Sequence, residues 1–250
     1  MRAPTWGRWL LATTLGGVAG NSAVAVLLAI WTGGAGALGE SAAGGVAIAV
    51  AWVAIWWVGA AIGLGIGLGQ WRVLSKAGAC GHRPQGRGHG VGWVAASVAG
   101  GLLPWWPLLF ALVLGGTNGG QPVTDAGGYV GGVTAAAALF AGLPGGICGI
   151  VPGIGQGLIL KRLRPRAPKH SLALWIAATA IGWGVSWALE GAALGVIVTS
   201  LGVRGPLTPV LLVGGLLVLA GCWAVTGALT GGALIATTSA EAAGTGAPRG

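Results

Sequence analysis

Six stretches of roughly twenty or more mostly apolar residues recur along the chain, and a helix of that length matches the hydrocarbon thickness of a bilayer. They run over Trp9–Trp31, Gly45–Gly69, Val91–Gly115, Tyr129–Leu160, Leu172–Thr199 and Pro209–Ala236. Polar or Gly/Pro-rich connectors separate them, notably Ser75–Gly90, Thr117–Gly128 and Lys161–Ser171. Only 7% of the 250 residues are charged, against roughly a quarter in a soluble domain, so an ordinary water-facing surface is excluded. The 53 glycines follow no Gly-X-Y period, which excludes collagen, and the chain is too apolar for disorder. Arg2 and Arg8 before an apolar run also suit a signal peptide, but the run continues to Trp31, so the first stretch is expected as an uncleaved span. The expected class is an all-α integral membrane protein.

Basic residues orient it. With the N-terminus inside, twelve of the 13 Lys and Arg fall on the cytoplasmic side, and only Arg204 lies outside with Glu40 and Asp125. Both termini are therefore expected inside, across a bacterial inner membrane. A DNA-binding face needs basic residues on a folded aqueous surface, so nucleic acid is not an expected partner.

The chain also repeats with a period of just over eighty residues. Trp9-x-x-Ala12-Thr13-x-x-Gly16, Trp93-x-x-Ala96-Ser97-x-x-Gly100 and Trp175-x-x-Ala178-Thr179-x-x-Gly182 open the odd spans. Each set shares one helical face, with the Trp at the cytoplasmic boundary. Gly63-x-x-x-Gly67-x-x-Gln70 and Gly149-x-x-x-Gly153-x-x-Gln156 close spans two and four, and Gly227-x-x-x-Gly231-x-x-Leu234 closes span six. These glycines are expected at helix-packing faces. Gln70 and Gln156 are expected to cap helix-end carbonyls or bridge hairpins, with a cytoplasmic vestibule as the functional alternative. Three parallel two-helix units, about residues 6–78, 91–163 and 172–237, would surround a pseudo-threefold axis. Residues 238–250 would form a short, disordered cytoplasmic tail.

Little chemistry is available at membrane depth. His82, His89 and His170 all lie in connectors, which removes buried Ser-His pairs, in-membrane zinc sites and histidine-ligated haem. Cys80, Cys148 and Cys222 are widely spaced and show no ligand pattern, so no metal or cofactor is expected. A pigment or quinone held without histidine would leave no sequence signature. Glu190 is the one acid inside a span, and a carboxylate in hydrocarbon marks either function or a hydrogen bond to another helix. Asn21, near the middle of span one, is either interhelical glue or part of a polar path with Glu190. Pro144 and Pro152 predict a kink or break in span four. Arg72, Lys161, Arg162, Arg164 and Arg166 are expected to fix topology and attract anionic lipid head groups.

At Gly67-Leu68-Gly69-Gln70-Trp71-Arg72-Val73-Leu74, then Gly92-Trp93-Val94-Ala95-Ala96-Ser97, the chain resembles a loose set of uncharacterised bacterial polytopic membrane proteins. Its second copy reads Gly153-Ile154-Gly155-Gln156-Gly157-Leu158-Ile159-Leu160, then Trp175-Ile176-Ala177-Ala178-Thr179. That resemblance implies a class and no activity. The two-helix layout is also similar to that of mitochondrial carriers, but their Pro-x-acid-x-x-base signature is absent. The expected function is a non-enzymatic scaffold or accessory subunit that binds lipids or other membrane subunits. The alternative is a small-solute or ion transporter or pore using Glu190, Asn21 and the Pro144–Pro152 break. A membrane enzyme survives only if a substrate brings its own reactive group or the loops host a site.

Overall fold

The structure, a computed structural model of the chain, describes residues 6–35, 59–77, 85–102, 126–165, 167–201 and 209–245. Among these, all regular structure is helical: α1 (Trp6–Ala35), α2 (59–76), α3 (Gln85–Gly101), α4 (Ala126–Leu163), α5 (Ser171–Leu201) and α6 (Pro209–Thr245). The expected spans at 45–58 and 103–115 lie outside the described residues. Glycine costs about 1 kcal/mol per residue against alanine in a helix in water. In hydrocarbon the backbone has no other partner, which holds glycine-rich segments helical. Among the described residues, three segments, Ala141–Leu163, Ser171–Ala193 and Val213–Ser239, are long and apolar enough to cross a membrane. The chain is a membrane protein by that measure.

Close glycine contacts link the helices in sequence. Gly16 of α1 faces Gly65 of α2, and Gly63 of α2 faces Ser97 of α3. Gly100 of α3 meets Pro152 of α4, and Gly149 of α4 meets Ala180 of α5. Gly182 of α5 faces Thr226 of α6, and Gly227 of α6 returns to Leu10 and Thr13 of α1. The six helices therefore close into a ring. A Cβ at Gly149 would fall 2.7 Å from the Ala180 Cα, and one at Gly227 would fall 3.1 Å from the Leu10 Cα. No hydrophobic drive pairs helices in lipid, so this proximity, with its dispersion and hydrogen bonding, supplies the cohesion.

Large side chains fill the interior. Trp9, Trp93, Trp175, Leu74, Ile159 and Leu234 form one buried cluster, and Ile62, Ile66, Cys148, Trp183, Trp187 and Trp223 belong to a second. Outside, Leu11, Leu15, Leu68, Leu143, Ile181 and Leu217 are exposed, an apolar belt suited to hydrocarbon.

Two expectations are corrected. Of the predicted kink or break at Pro144–Pro152, the break does not form, because α4 remains helical through both prolines. Pro152 cannot donate to the Cys148 carbonyl. Gly100 packs against both groups, a Cβ there falling 2.9 Å from that carbonyl oxygen, so α3 lies directly against this turn of α4. The predicted disordered tail is helical over its first part, since α6 continues to Thr245. Connector boundaries shift in the same direction, with α3 beginning at Gln85 rather than Val91.

Candidate functional site

The three motif tryptophans converge. Trp9 lies 6.1 Å from Trp93 and 5.9 Å from Trp175 between ring centroids, and Trp93 lies 5.8 Å from Trp175. Two of these contacts involving Trp9 are edge-to-face, the arrangement that sets a ring's positive edge against its neighbour's negative face. All three rings are at most 1% exposed. Each comes from the first turns of α1, α3 or α5, where residues of one helical face point inward.

One turn further along each helix a hydroxyl takes over. Thr13 Oγ1 donates to the Trp9 carbonyl at 3.0 Å, Ser97 Oγ to Trp93 at 3.1 Å, and Thr179 Oγ1 to Trp175 at 2.8 Å. With its proton committed to the backbone, the hydroxyl is free to accept. Gln70 Nε2 donates to Thr13 Oγ1 at 3.2 Å, and Gln156 Nε2 donates to Ser97 Oγ at 2.8 Å. Gln156 Nε2 also reaches Gln70 Oε1 at 3.4 Å. Both amides are 2% exposed, so the matched glutamines line no vestibule; they bridge helices in the interior. At the corresponding place on α6, Leu234 stands where the other two repeats have glutamine and packs into the tryptophan cluster. From α6, Thr230 Oγ1 accepts from Trp9 Nε1 at 2.9 Å. The sequence motif contained Thr13, Ser97 and Thr179 only as small residues. Their polar role was signalled by a hydroxyl four residues after every motif Trp.

Elsewhere the expected glycines face neighbours in the same chain. Gly63 and Gly67 lie on Ser97, Gly149 and Gly153 on α5, and Gly227 and Gly231 on α1. Lipid or a second subunit is therefore not what these stripes touch.

Deeper in the bundle, Asn21 and Glu190 meet. Asn21 Nδ2 donates to the Gly17 carbonyl at 3.0 Å and lies 3.5 Å from Glu190 Oε1, a long contact. Glu190 is 8% exposed. The Trp223 indole N–H approaches its carboxyl without completing a well-aligned hydrogen bond. Beside it, the Ser186 and Thr226 hydroxyls are 2.7 Å apart, and Ser186 also donates to the Cys222 carbonyl. Neither Ser186 nor Thr226 stands out in the sequence. Burial on a closed interface, invisible to composition, is what recruits them.

No family model, curated protein or solved structure matches the chain. Function must be argued from the geometry alone.

The basic residues occupy the far end of α4 and its connection to α5. Lys161 and Arg162 sit in the last helical turn, where positive charge complements the carbonyl end of the dipole. Both are exposed, as is Arg72 on α2, whereas Arg164 is buried. Arg166 lies outside the described residues. Among the described residues, no group of three or more His, Cys, Asp or Glu is placed to hold a metal. Chemically, the arrangement is a sealed aromatic and amide layer with one carboxyl beyond it.

Proposed function

We propose that the protein is a non-enzymatic helix-packing scaffold or accessory subunit of a bacterial inner membrane. It presents an apolar outer belt to lipids and other subunits. Its six helices are read as three tandem hairpins around a pseudo-threefold axis, with both termini cytoplasmic. The meeting of Trp9, Trp93 and Trp175 carries this reading, because a ring-closed bundle plugged by three mutually packed indoles has no aqueous path there. Matched contacts support the repeat: Gly69 lies on Ala12 and Gly155 on Ala96, each one residue before a bridging glutamine. The positive-inside pattern supports the orientation.

Native mass spectrometry on protein extracted in mild detergent from its host membranes, with a visible spectrum, tests the scaffold role. A co-purifying subunit, pigment or stoichiometric lipid is expected. A lone, colourless, lipid-free protein would refute it.

The 3.5 Å approach of Asn21 to Glu190 favours a second reading, an ion or proton carrier built on that pair. In that case Glu190→Gln abolishes coupled flux in vesicles while expression stays normal. Unchanged transport, or none in the wild type, eliminates the carrier.

A further inference from the structure

The described groups around Glu190 turn hydrogen-bond donors, not free oxygens, toward its carboxyl. From α1, the Asn21 amide has a fixed orientation: Nδ2 donates to the Gly17 carbonyl at 3.0 Å, and the flipped amide would press Oδ1 against that oxygen. The second hydrogen on Nδ2 is left for Glu190 Oε1 at 3.5 Å. From α6, the Trp223 indole approaches the same carboxyl. Its ring is fully buried, and its N–H, which can only donate, bonds nothing else among the described residues. Ser186 of α5 and Thr226 of α6 are engaged with each other, and Ser186 with the Cys222 carbonyl. Cys222 of α6 is the titratable neighbour, and no Lys, Arg or His among the described residues pairs with Glu190.

We infer that Glu190 is a proton-exchange site that excludes metal cations. A carboxylate in hydrocarbon without a basic partner must be neutralised from outside, by a proton or by a cation. A metal cation needs several oxygen ligands to replace its water shell, as carbonyls do in cation filters. Here the two groups turned to the carboxyl are N–H donors, whose positive ends repel a cation, and the nearby hydroxyls are already engaged. A proton needs no such shell. It adds to one carboxylate oxygen from water and returns to water by the reverse step, and no other bond forms or breaks. In the acid form the carbonyl oxygen keeps its lone pairs for Asn21 and Trp223, so neither donor is abandoned.

This deepens the carrier reading by naming what would be carried, and the exchange site stands without it, because a carboxyl that exchanges protons need not move them across. Absent flux in vesicles beside a titrating, cation-insensitive Glu190 would remove the carrier and keep the site. Sodium-driven flux would keep the carrier and remove the site.

The test is infrared difference spectroscopy of the full chain in neutral detergent, titrated with acid in sodium, potassium and choline chloride of equal ionic strength. A carboxylic-acid band that shifts in deuterium oxide and is lost in Glu190→Gln reports the site. Should that variant fail to fold, Glu40→Gln with Glu241→Gln leaves Glu190 as the one glutamate, and carboxyl-labelled glutamate assigns its band. The titration midpoint is expected to be the same in all three salts. Trp223→Phe removes a donor to the carboxylate and should tighten proton binding about tenfold, the scale of one hydrogen bond to a charged group. Weaker proton binding in sodium or potassium than in choline, an unchanged affinity in Trp223→Phe, or no Glu190 band that responds to acid or deuterium would each overturn the site.

Discussion

On α5, Thr179 and Glu190 are eleven residues apart, about 16 Å of helix, and their surroundings handle buried polar atoms in opposite ways. Around Thr179 the same residue types arrive from α1, α3 and α5. Each hydroxyl bonds its own helix backbone, and those of Thr13 and Ser97 also accept from a glutamine of an even helix. Around Glu190 every contributor differs: an asparagine from α1, an indole from α6, a serine one turn back. In the first layer like residues meet and their hydroxyls and amides bond one another, while the buried Trp93 and Trp175 indole N–H groups find no hydrogen-bond partner among the described residues. The second depends on one carboxyl finding unlike partners, with Asn21 Nδ2 at 3.5 Å. Repetition thus yields closure, and the layer around Glu190 departs from it.

Substitutions sharpen this contrast. Trp93→Ala should destabilise most, by about 3–5 kcal/mol, since a buried indole is lost and three aromatic neighbours, Trp9, Trp71 and Trp175, lose a partner. Thermal unfolding in detergent measures it. A loss no larger than that of an exposed Trp6→Ala would mean the layer is not cohesive. Gly149→Val should cost about 1–3 kcal/mol, because its Cβ meets the α5 backbone rather than a side chain that can swing aside. Gly214→Val, where a Cβ meets nothing within 4 Å, is the control expected to be neutral.

The glutamine pair should reveal coupling. Gln156→Leu alone should cost about 1 kcal/mol by depriving Ser97 and Gln70 of a donor. Gln70→Leu together with Gln156→Leu should cost less than the sum, because Leu234 already occupies the corresponding place and removing both partners leaves fewer orphaned atoms. An additive double mutant would show that the two amides do not form a unit. The smallest effect belongs to the other region: Asn21→Ala should change stability by no more than about 0.6 kcal/mol. A much larger loss would place the Asn21–Glu190 pair among the bundle's structural bonds and reverse the contrast.

Membrane class and helical content were legible in the sequence, because span length is a local property; the Trp-x-x-Ala-[Ser/Thr]-x-x-Gly spacing marked Trp9, Trp93 and Trp175 but read them as boundary residues, whereas the structure buries them against one another. The helicity of Pro144–Pro152 was not legible. Proline's missing N–H is a local fact, but the Gly100 face packed against the Pro152 turn comes from another helix. Likewise, the continuation of α6 to Thr245 runs past the polar residues Thr237, Thr238 and Ser239, whose hydroxyls at Thr237 and Thr238 bond carbonyls three residues back instead of ending the helix.

The sequence by itself determined that the chain would be helical, would suit a bilayer and would offer small residues at fixed intervals. Hydropathy, backbone hydrogen bonding in hydrocarbon and side-chain size act within one helix and can be read along it. Tertiary structure alone decided which glycine faces which helix, that Gln70 and Gln156 meet each other, and that Asn21 reaches Glu190. Those pairings join residues 86 and 169 positions apart, and only closure of the ring brings them within reach.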